Sequence, residues 1–486
     1  MTGLLIRDAE LDGVVLDVRV GAGRVRELGR KLPRASGGER VVQARGGALL
    51  PGLTDHHLHL YATAADLASL PCGPAAVQDA QGLAEALRRA APDTHGWIRG
   101  VRYHESVAGE LDAERLDRLR DDLPVRVQHR SGALWVLNSR AMNAVGLHTA
   151  EHPGVERDGE GRPTGRLWRA DDWLRTRLPA TAPPSLAELG RRLARYGITA
   201  VTDATPRLDQ GTIDALTEAV AVGEVPQRVQ VLGAPLDGSL RPDRDRNGPE
   251  PGPWKIVLAD SGLPDLEQLT LAIDVAHRAG RPVAVHCVTR VSLLLLLAAL
   301  EQVGTLPGDR LEHASLIPAE VLPTIRELGL SVVTQPGFLA DRGDAYLSGT
   351  PADEHGDLYR CASLRAAGVP LGLSSDAPYG PLDPWAVMRA AVQRDTPSGA
   401  VVAPSERLGP AQALEGYLSP ARWPGSAPHR IEGGRRADLV LLHTPLAEAL
   451  AHLDADLVRL VLIGGRPVYE DGDTGSRPAG RPGQCL

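Results

Sequence analysis

Between residues 50 and 380 the chain alternates two textures: short, nearly continuous apolar runs, and longer stretches with apolar positions every three or four residues. The first predicts strands buried on both faces and the second amphipathic helices, so their alternation predicts βα units around a parallel sheet. Eight runs qualify as strands: GALLPGLTDHH, GITAVTDAT, PQRVQVLG, WKIVLAD, RPVAVHCV, DRLEHASL, LSVVTQP and VPLGLSSDAP. Helical stretches follow several of them, Asp265–Ala279 and Pro318–Leu328 among them. Eight such units are what an α/β fold of the (β/α)8 TIM barrel kind requires. The first two strands lie about 140 residues apart, far more than one crossover helix needs. Residues from about 65 to 185 are therefore expected to form an insertion after barrel strand 1, over the barrel mouth.

The two ends of the chain alternate differently. Val14–Val20, Arg24–Leu28 and Val41–Ala44 read as strands between Gly-rich turns, and ADLVLLHTPL and VRLVLIGGRPVYEDG repeat that texture near the other end. A small β-sandwich domain built from residues 1–48 and 425–486 is the expectation, with the barrel at 49–424 and a flexible GSRPAGRPGQ tail. A doubly wound open sheet is the structural alternative. It is disfavoured because no G-x-G-x-x-G follows an early strand and no GxxxxGK[ST] occurs.

Composition narrows the function classes. Hydrophobic residues make up 43% of the 486 and charged residues 23%, which is ordinary for a globular protein. A formal charge of -8 argues against a nucleic-acid or anionic-membrane surface, which needs clustered positive charge. Cys72, Cys287, Cys361 and Cys485 are scattered, so neither a disulfide framework nor a zinc ribbon is expected. The first residues carry early charges and no apolar signal core, and the longest apolar run, Val291–Leu300, is half a membrane span and reads as a buried helix. A cytoplasmic protein is the expectation, acting on a small-molecule substrate. A homo-oligomer is compatible with such a barrel, though no residue marks an interface.

Candidate chemistry begins in PGLTDHHLHL. Alternate side chains of an extended strand share a face, which puts Asp55, His57 and His59 together and His56 opposite. Two imidazoles can ligate one cation while a carboxylate orients a ligand from behind. His286 in PVAVHCV, His313 in RLEHASL and Asp376 in LGLSSDAP each fall near the C-terminal end of an apolar run, where barrel strands open into one mouth. A buried histidine is individually more often a satisfied core residue than a ligand. Four histidines and an aspartate, all at strand ends, are hard to produce by that route.

Lys255, in WKIVLAD, stands out for another reason. Only Lys31 and Lys255 among 53 basic residues are lysine. A snorkelling surface lysine at a strand start is the plain reading. Against it, the neighbours are apolar, and a lysine can be neutralised by burial as an arginine cannot. A neutral amine reacts with CO2 to give a carbamate, an anion able to bridge two metals.

These residues together resemble the binuclear amidohydrolase superfamily: D-x-H-x-H ending strand one, Lys255 on strand four, His286 and His313 on strands five and six, and Asp376 on strand eight. Within it the chain is most similar to the YtcJ-like metal-dependent hydrolases, the amidohydrolase 3 group that includes N-substituted formamide deformylases. GWIRGVRYHES, GRPTGRLWR, LARYGITAVTDA, LEHASLIP, SSDAPYGPLDP and GGRRADLVLL carry the resemblance along nearly the whole chain. It implies two divalent ions, with Zn2+ favoured: His57 and His59 on one with Asp376, His286 and His313 on the other, and carboxylated Lys255 bridging. It also implies hydrolysis of a non-peptide C–N bond by metal-activated hydroxide, with Asp376 moving the proton. The bond belongs to an N-acyl, formamide-like or cyclic amide compound. Tyr103, Glu105, His129, Trp135 and Gln335 are candidates for the substrate-facing wall.

The chain departs from the group in two loops. ADSGLPDLEQL after Lys255 is shorter than the group's glycine-rich loop, and CVTRV follows His286 where AIGD is usual. A heterocycle deaminase on the same barrel is the enzymatic alternative, disfavoured because no glutamate follows His286 at the H-x-x-E spacing. A non-catalytic oligomeric barrel scaffold is the other, and retention of every expected ligand disfavours it.

Overall fold

All eight apolar runs contain strands in the computed structural model, which describes residues 3–35, 38–179, 182–240 and 248–472. They are β1 (Leu53–Leu58), β2 (Ile198–Asp203), β3 (Arg228–Val231), β4 (Trp254–Val257), β5 (Val283–Cys287), β6 (Arg310–His313), β7 (Ser331–Thr334) and β8 (Leu371–Leu373). Every pairing among them is parallel. β1, β2 and β3 run side by side with a two-residue strand, Glu250–Pro251, beyond β3, while β4 to β8 pair in sequence order. Hydrogen bonds also join the two sheets: Lys255 N–H donates to Leu232 O at 3.1 Å and Asp376 N–H to His57 O at 2.8 Å. This is a TIM-barrel-type α/β arrangement, and the helices Leu266–Arg278 and Arg290–Val303 follow β4 and β5 in the expected places.

The first apolar run is divided between two sheets. Leu49–Pro51 pairs antiparallel with Leu439–Leu442, and only Leu53–Leu58 joins β2. Gly52 makes the handover; a Cβ there would stand 2.1 Å from Thr199 Oγ1, so the Thr199 side chain packed against it requires glycine.

The chain ends form two four-stranded sheets. One is ordered Arg24–Gly29, Val14–Gly21, Leu4–Leu11, Arg40–Gln43, and the other Arg466–Glu470, Val458–Ile463, Leu439–Leu442, Leu49–Pro51. Leu4, Ile6, Ala9 and Leu11 share one apolar cluster with Leu439, Leu441, Leu460 and Leu462, burying surface at ~25 cal/mol per Å2. Leu4–Leu11 went unread in the sequence because its register shifts between Ile6 and Ala9, with Asp8 at φ +54°. Such a bulge breaks the period-two alternation that marks a strand. The GSRPAGRPGQ tail and Cys485 lie outside the described residues.

Val291–Leu300 is helical as expected, but amphipathic rather than wholly buried: Leu293, Leu296, Leu297 and Leu300 face inward while Val291 and Leu294 are exposed. No helix of the described residues is long and apolar enough to cross a membrane. Cys72, Cys287 and Cys361 are free thiols, each buried.

Leu60–Leu186, with Ala377–Tyr379, forms a second compact unit. Its six-stranded sheet runs Val155–Arg157, Pro163–Trp168, Leu134–Leu137, Val125–His129, Ile98–Tyr103, Leu70–Pro71. Two apolar clusters serve it, one around Ile98, Val125 and Val127 and one around Trp97, Trp135 and Leu137. Its helices begin at side-chain caps, Asp79 accepting from Gly82 N–H and Asn138 from Ala141 N–H.

Candidate metal centre

The C-terminal ends of β1 and β8 bring His57, His59 and Asp376 into one cluster whose ligand atoms all lie within 4.8 Å of one another. Asp376 Oδ1 stands 3.4 Å from His57 Nε2 and 3.3 Å from His59 Nε2. His313 faces the same carboxylate, its Nδ1 3.7 Å from Oδ2. The His313 ring centre is 4.7 Å from that of His57 and 4.4 Å from that of His286. Both His313 and Asp376 have left-handed backbones, at φ +66° and +51°. Non-glycine residues adopt that region at a cost of about 1–3 kcal/mol, the kind of strain that accumulates at functional sites.

Three of the four imidazoles carry a hydrogen bond at Nδ1. His57 Nδ1 is hydrogen-bonded to the Glu312 carboxylate, His59 Nδ1 to Thr205 Oγ1 at 3.2 Å, and His313 Nδ1 to Gln335 Oε1 at 2.9 Å. Fixing one ring nitrogen selects the tautomer and directs the other, and three rings so fixed is the usual surround of a metal ion. Burial pulls the pKa of His57 and of His313 well below the ordinary 6.5, and that of His286 to about 4, reinforced by the neighbouring cationic groups. The rings are therefore neutral, the form that ligates.

Three buried polar atoms at this place have no partner in the protein: His57 Nε2, Asp376 Oδ1 and Lys255 Nζ. An unsatisfied buried polar group costs ~1–3 kcal/mol, more when charged, and three converging on one point call for an occupant. The donor set, imidazole nitrogens with a carboxylate, fits a divalent transition metal. Lys255 is 6% exposed despite its early position in β4. Burial lowers its pKa from 10.5, although Glu312 and Asp376 oppose that by favouring the charged form.

Asp55, expected behind a ligand as an orienting carboxylate, instead accepts backbone N–H groups from His57 at 3.1 Å and Ser375 at 3.2 Å. It ties the end of β1 to the segment after β8, and burial raises its pKa to about 7. His56 points the other way, as its alternation requires, to Ser419 Oγ at 3.1 Å.

The residues considered for substrate contact fall differently. Gln335 is buried with both ends of its amide engaged, donating to Ser374 Oγ at 2.9 Å as well as accepting from His313. The other four belong to the second unit. Tyr103 donates its hydroxyl to Gly109 O at 2.5 Å and Trp135 its indole N–H to Asp171 at 2.8 Å, both side chains being buried. Glu105 and His129 bond each other at 3.2 Å and stay more exposed.

Sequence reading missed Glu312 and Arg310. Glu312 is fully buried, bonded through one oxygen to His57 and through the other to Arg310 Nε; Arg310 Nη2 donates to His56 O at 3.2 Å. The signal was present in RLEH: two opposite charges at alternate positions of a doubly buried strand are rare unless paired.

The chain matches the amidohydrolase family over residues 40–469. It is 26% identical over 487 aligned positions to the N-substituted formamide deformylase of Arthrobacter pascens, covering 87% of this chain and 89% of that protein. It is 24% identical to putative amidohydrolase YtcJ of Bacillus subtilis, covering 88% and 90%. Among solved structures, a metal-dependent hydrolase from Pyrococcus horikoshii superimposes with a TM-score of 0.72 at 21% identity, covering 96% of this chain and 99% of that one. With the match spanning most of the chain and every strand from β1 to β8, the chain belongs to the amidohydrolase family and is a hydrolase acting on carbon–nitrogen bonds.

Proposed function

We propose that this enzyme hydrolyses a non-peptide C–N bond in a small N-acyl, formamide-like or cyclic amide compound at a centre for two divalent ions, zinc matching the donor set best. His57, His59 and Asp376 would hold one ion and His286 and His313 the other, with carboxylated Lys255 bridging. The observation that carries the reading is the common aim of two imidazoles: Nδ1 of His57 and of His59 is hydrogen-bonded from behind, and their Nε2 atoms lie 3.4 and 3.3 Å from Asp376 Oδ1. When bound, divalent metal supplies Lewis acidity that polarises an amide carbonyl and makes water a better acid.

The protein's own residues do the rest. Asp376 can accept a proton from the attacking water and return it to the departing nitrogen. The lowered pKa of Lys255 favours the neutral amine, the form that adds to CO2. Glu105 and His129 are assigned to the substrate as more exposed than the other three, although His129 already bonds Ser131 and Glu105. Tyr103, Trp135 and Gln335, already hydrogen-bonded, contribute shape.

The same proposal extends to architecture. We take the eight strands as one closed barrel, supported by the Lys255–Leu232 and Asp376–His57 hydrogen bonds at the two sheet margins. The terminal sheets are taken as a sandwich domain of residues 1–48 and 425–486, supported by their shared apolar cluster.

The test is metal analysis of purified protein combined with assays on N-formyl, N-acyl, carbamate and cyclic-amide panels. Stoichiometric transition metal and turnover of at least one C–N class are expected. Protein without such metal, together with a fully active His57→Ala variant, would overturn the reading.

A further inference from the structure

Two arginines of the second unit lie side by side without a direct ion pair to any carboxylate among the described residues, although Asp66, Asp93 and Asp171 favour their charged forms from farther off. Arg99, on Ile98–Tyr103, and Arg126, on Val125–His129, are register partners on adjacent parallel strands. Residues so paired leave the sheet on the same face. Trp135, on the next strand, shares that face, and the two guanidinium carbons lie 5.5 and 5.1 Å from its ring centre.

Like charges directly opposite each other weaken a sheet, and half-burial beside the Trp97–Trp135–Leu137 cluster raises the cost. A purely structural pair so placed would be expected to hold direct ion pairs that fill its guanidinium donors. Among the described residues neither arginine stands within ion-pair distance of a carboxylate. Asp66, Asp93 and Asp171 act on them only from beyond that distance; Asp66 is paired with Arg102, and Asp171 accepts the Trp135 indole N–H. Arg99 makes one hydrogen bond, from Nη1 to Ser69 Oγ at 2.9 Å. Arg126 Nε is buried without a partner. Burial, together with the charge of Arg99, pulls the pKa of Arg126 down to about 10, so it stays protonated near neutrality.

We infer that Arg99 and Arg126 form a binding site for an oxyanion, a carboxylate or a phosphate group, with the Trp135 ring as its flat wall. An oxyanion with two or more oxygens can accept from both guanidinium groups, whose planar forks suit that geometry, and it removes the repulsion between them. The site shares Trp135 with the proposed substrate wall but uses none of the metal-centre residues, so its failure and the failure of the metal reading are distinguishable.

The experiment is calorimetric titration and thermal unfolding of the holoenzyme with inorganic phosphate and with acetate, each against chloride at constant ionic strength. A saturable response to at least one oxyanion is expected; phosphate alone or both anions would tell a phosphate site from a general carboxylate site. Arg99→Gln and Arg126→Gln are each expected to weaken the binding about tenfold or more while the unfolding midpoint in chloride holds or rises, because a repulsion has been removed. Arg126→Lys, which keeps the charge and loses the fork, should fold in any case and bind several-fold more weakly. Equal affinity in wild type and variants would put the anion elsewhere, the metal centre included, and overturn the inference. No saturable response in wild type, or variants that lose only stability, would do the same and leave the arginines as supports of Trp135.

Discussion

Glu312 holds the Nδ1 side of His57 through one carboxylate oxygen and Arg310 through the other, all three side chains being sealed from solvent. The imidazole is thereby locked with Nε2 toward Asp376, and Arg310 keeps the buried carboxylate from being an isolated charge. Glu312→Gln should weaken metal affinity about 10–100-fold, the usual loss when such a partner of a metal-binding histidine is removed. Competition with a chelator measures it. The same variant leaves Arg310 short of a counter-charge, so stability should fall by about 3 kcal/mol in denaturant unfolding. Unchanged affinity would mean that His57 needs no such support.

Lys255 makes a separate prediction. Protein equilibrated with 13C-bicarbonate should show a carbamate carbon resonance that Lys255→Ala lacks. Lys255→Arg preserves positive charge but cannot become a neutral amine at accessible pH. It should bind less than the wild-type metal complement, and full metal content with full activity in that variant would remove the bridge from the scheme.

Asp376→Asn should lower kcat by about 10^2–10^4, the range typical of losing a proton-transfer group. The fold should persist, since the bond from Asp376 N–H to His57 O belongs to the backbone. Activity of the pure variant within a factor of a few of wild type would exclude the proton-transfer role.

Glu406 gives a pH-dependent stability signature away from the metal centre. Burial alone would raise its carboxyl, but Ser363 and Cys361 donate to it and Arg360 lies 2.7 Å away, with a lowered pKa as the net result. A carboxylate more acidic when folded contributes stability that is fully present above its unfolded value near 4.5 and is lost as pH falls through the lower folded value. Glu406→Gln should therefore cost about 2 kcal/mol at neutral pH. The gap between variant and wild type should narrow on acidification below the unfolded value. A gap independent of pH would show that shape, not charge, matters there.

Gly52→Ala should destabilise by about 1–3 kcal/mol, the cost typical of overpacking, because its Cβ would meet Thr199 at the handover between sheets. Thermal unfolding reads the loss, and Thr199→Ser in the same chain should recover part of it by withdrawing the methyl group that also crowds the position.

The barrel strands were legible because most are buried on both faces and so written as a continuous apolar run, and ligands at strand ends interrupt such runs conspicuously. His57, His59 and Asp376 are brought together as that pattern suggests. What escaped depends on partners far off in the chain. Glu312 looks like an ordinary charge until His57, 255 positions away, is seen to need it. Asp55 shares a strand face with two histidines, but its nearest donors are backbone N–H groups that no side-chain pattern reveals. The division of the first run at Gly52 was equally hidden, since both halves are apolar and only their partners differ.

That division sets an order in time. Leu49–Pro51 waits for Leu439–Leu442, and His57 waits for the segment ending at Asp376, although the ribosome makes residues 49–59 long before either partner. Such long-range pairing is slow to form and leaves strand edges open meanwhile. A nascent chain halted before residue 370 should thus hold its early histidines without a centre to join. Release of the final strands is the step on which metal uptake is expected to depend.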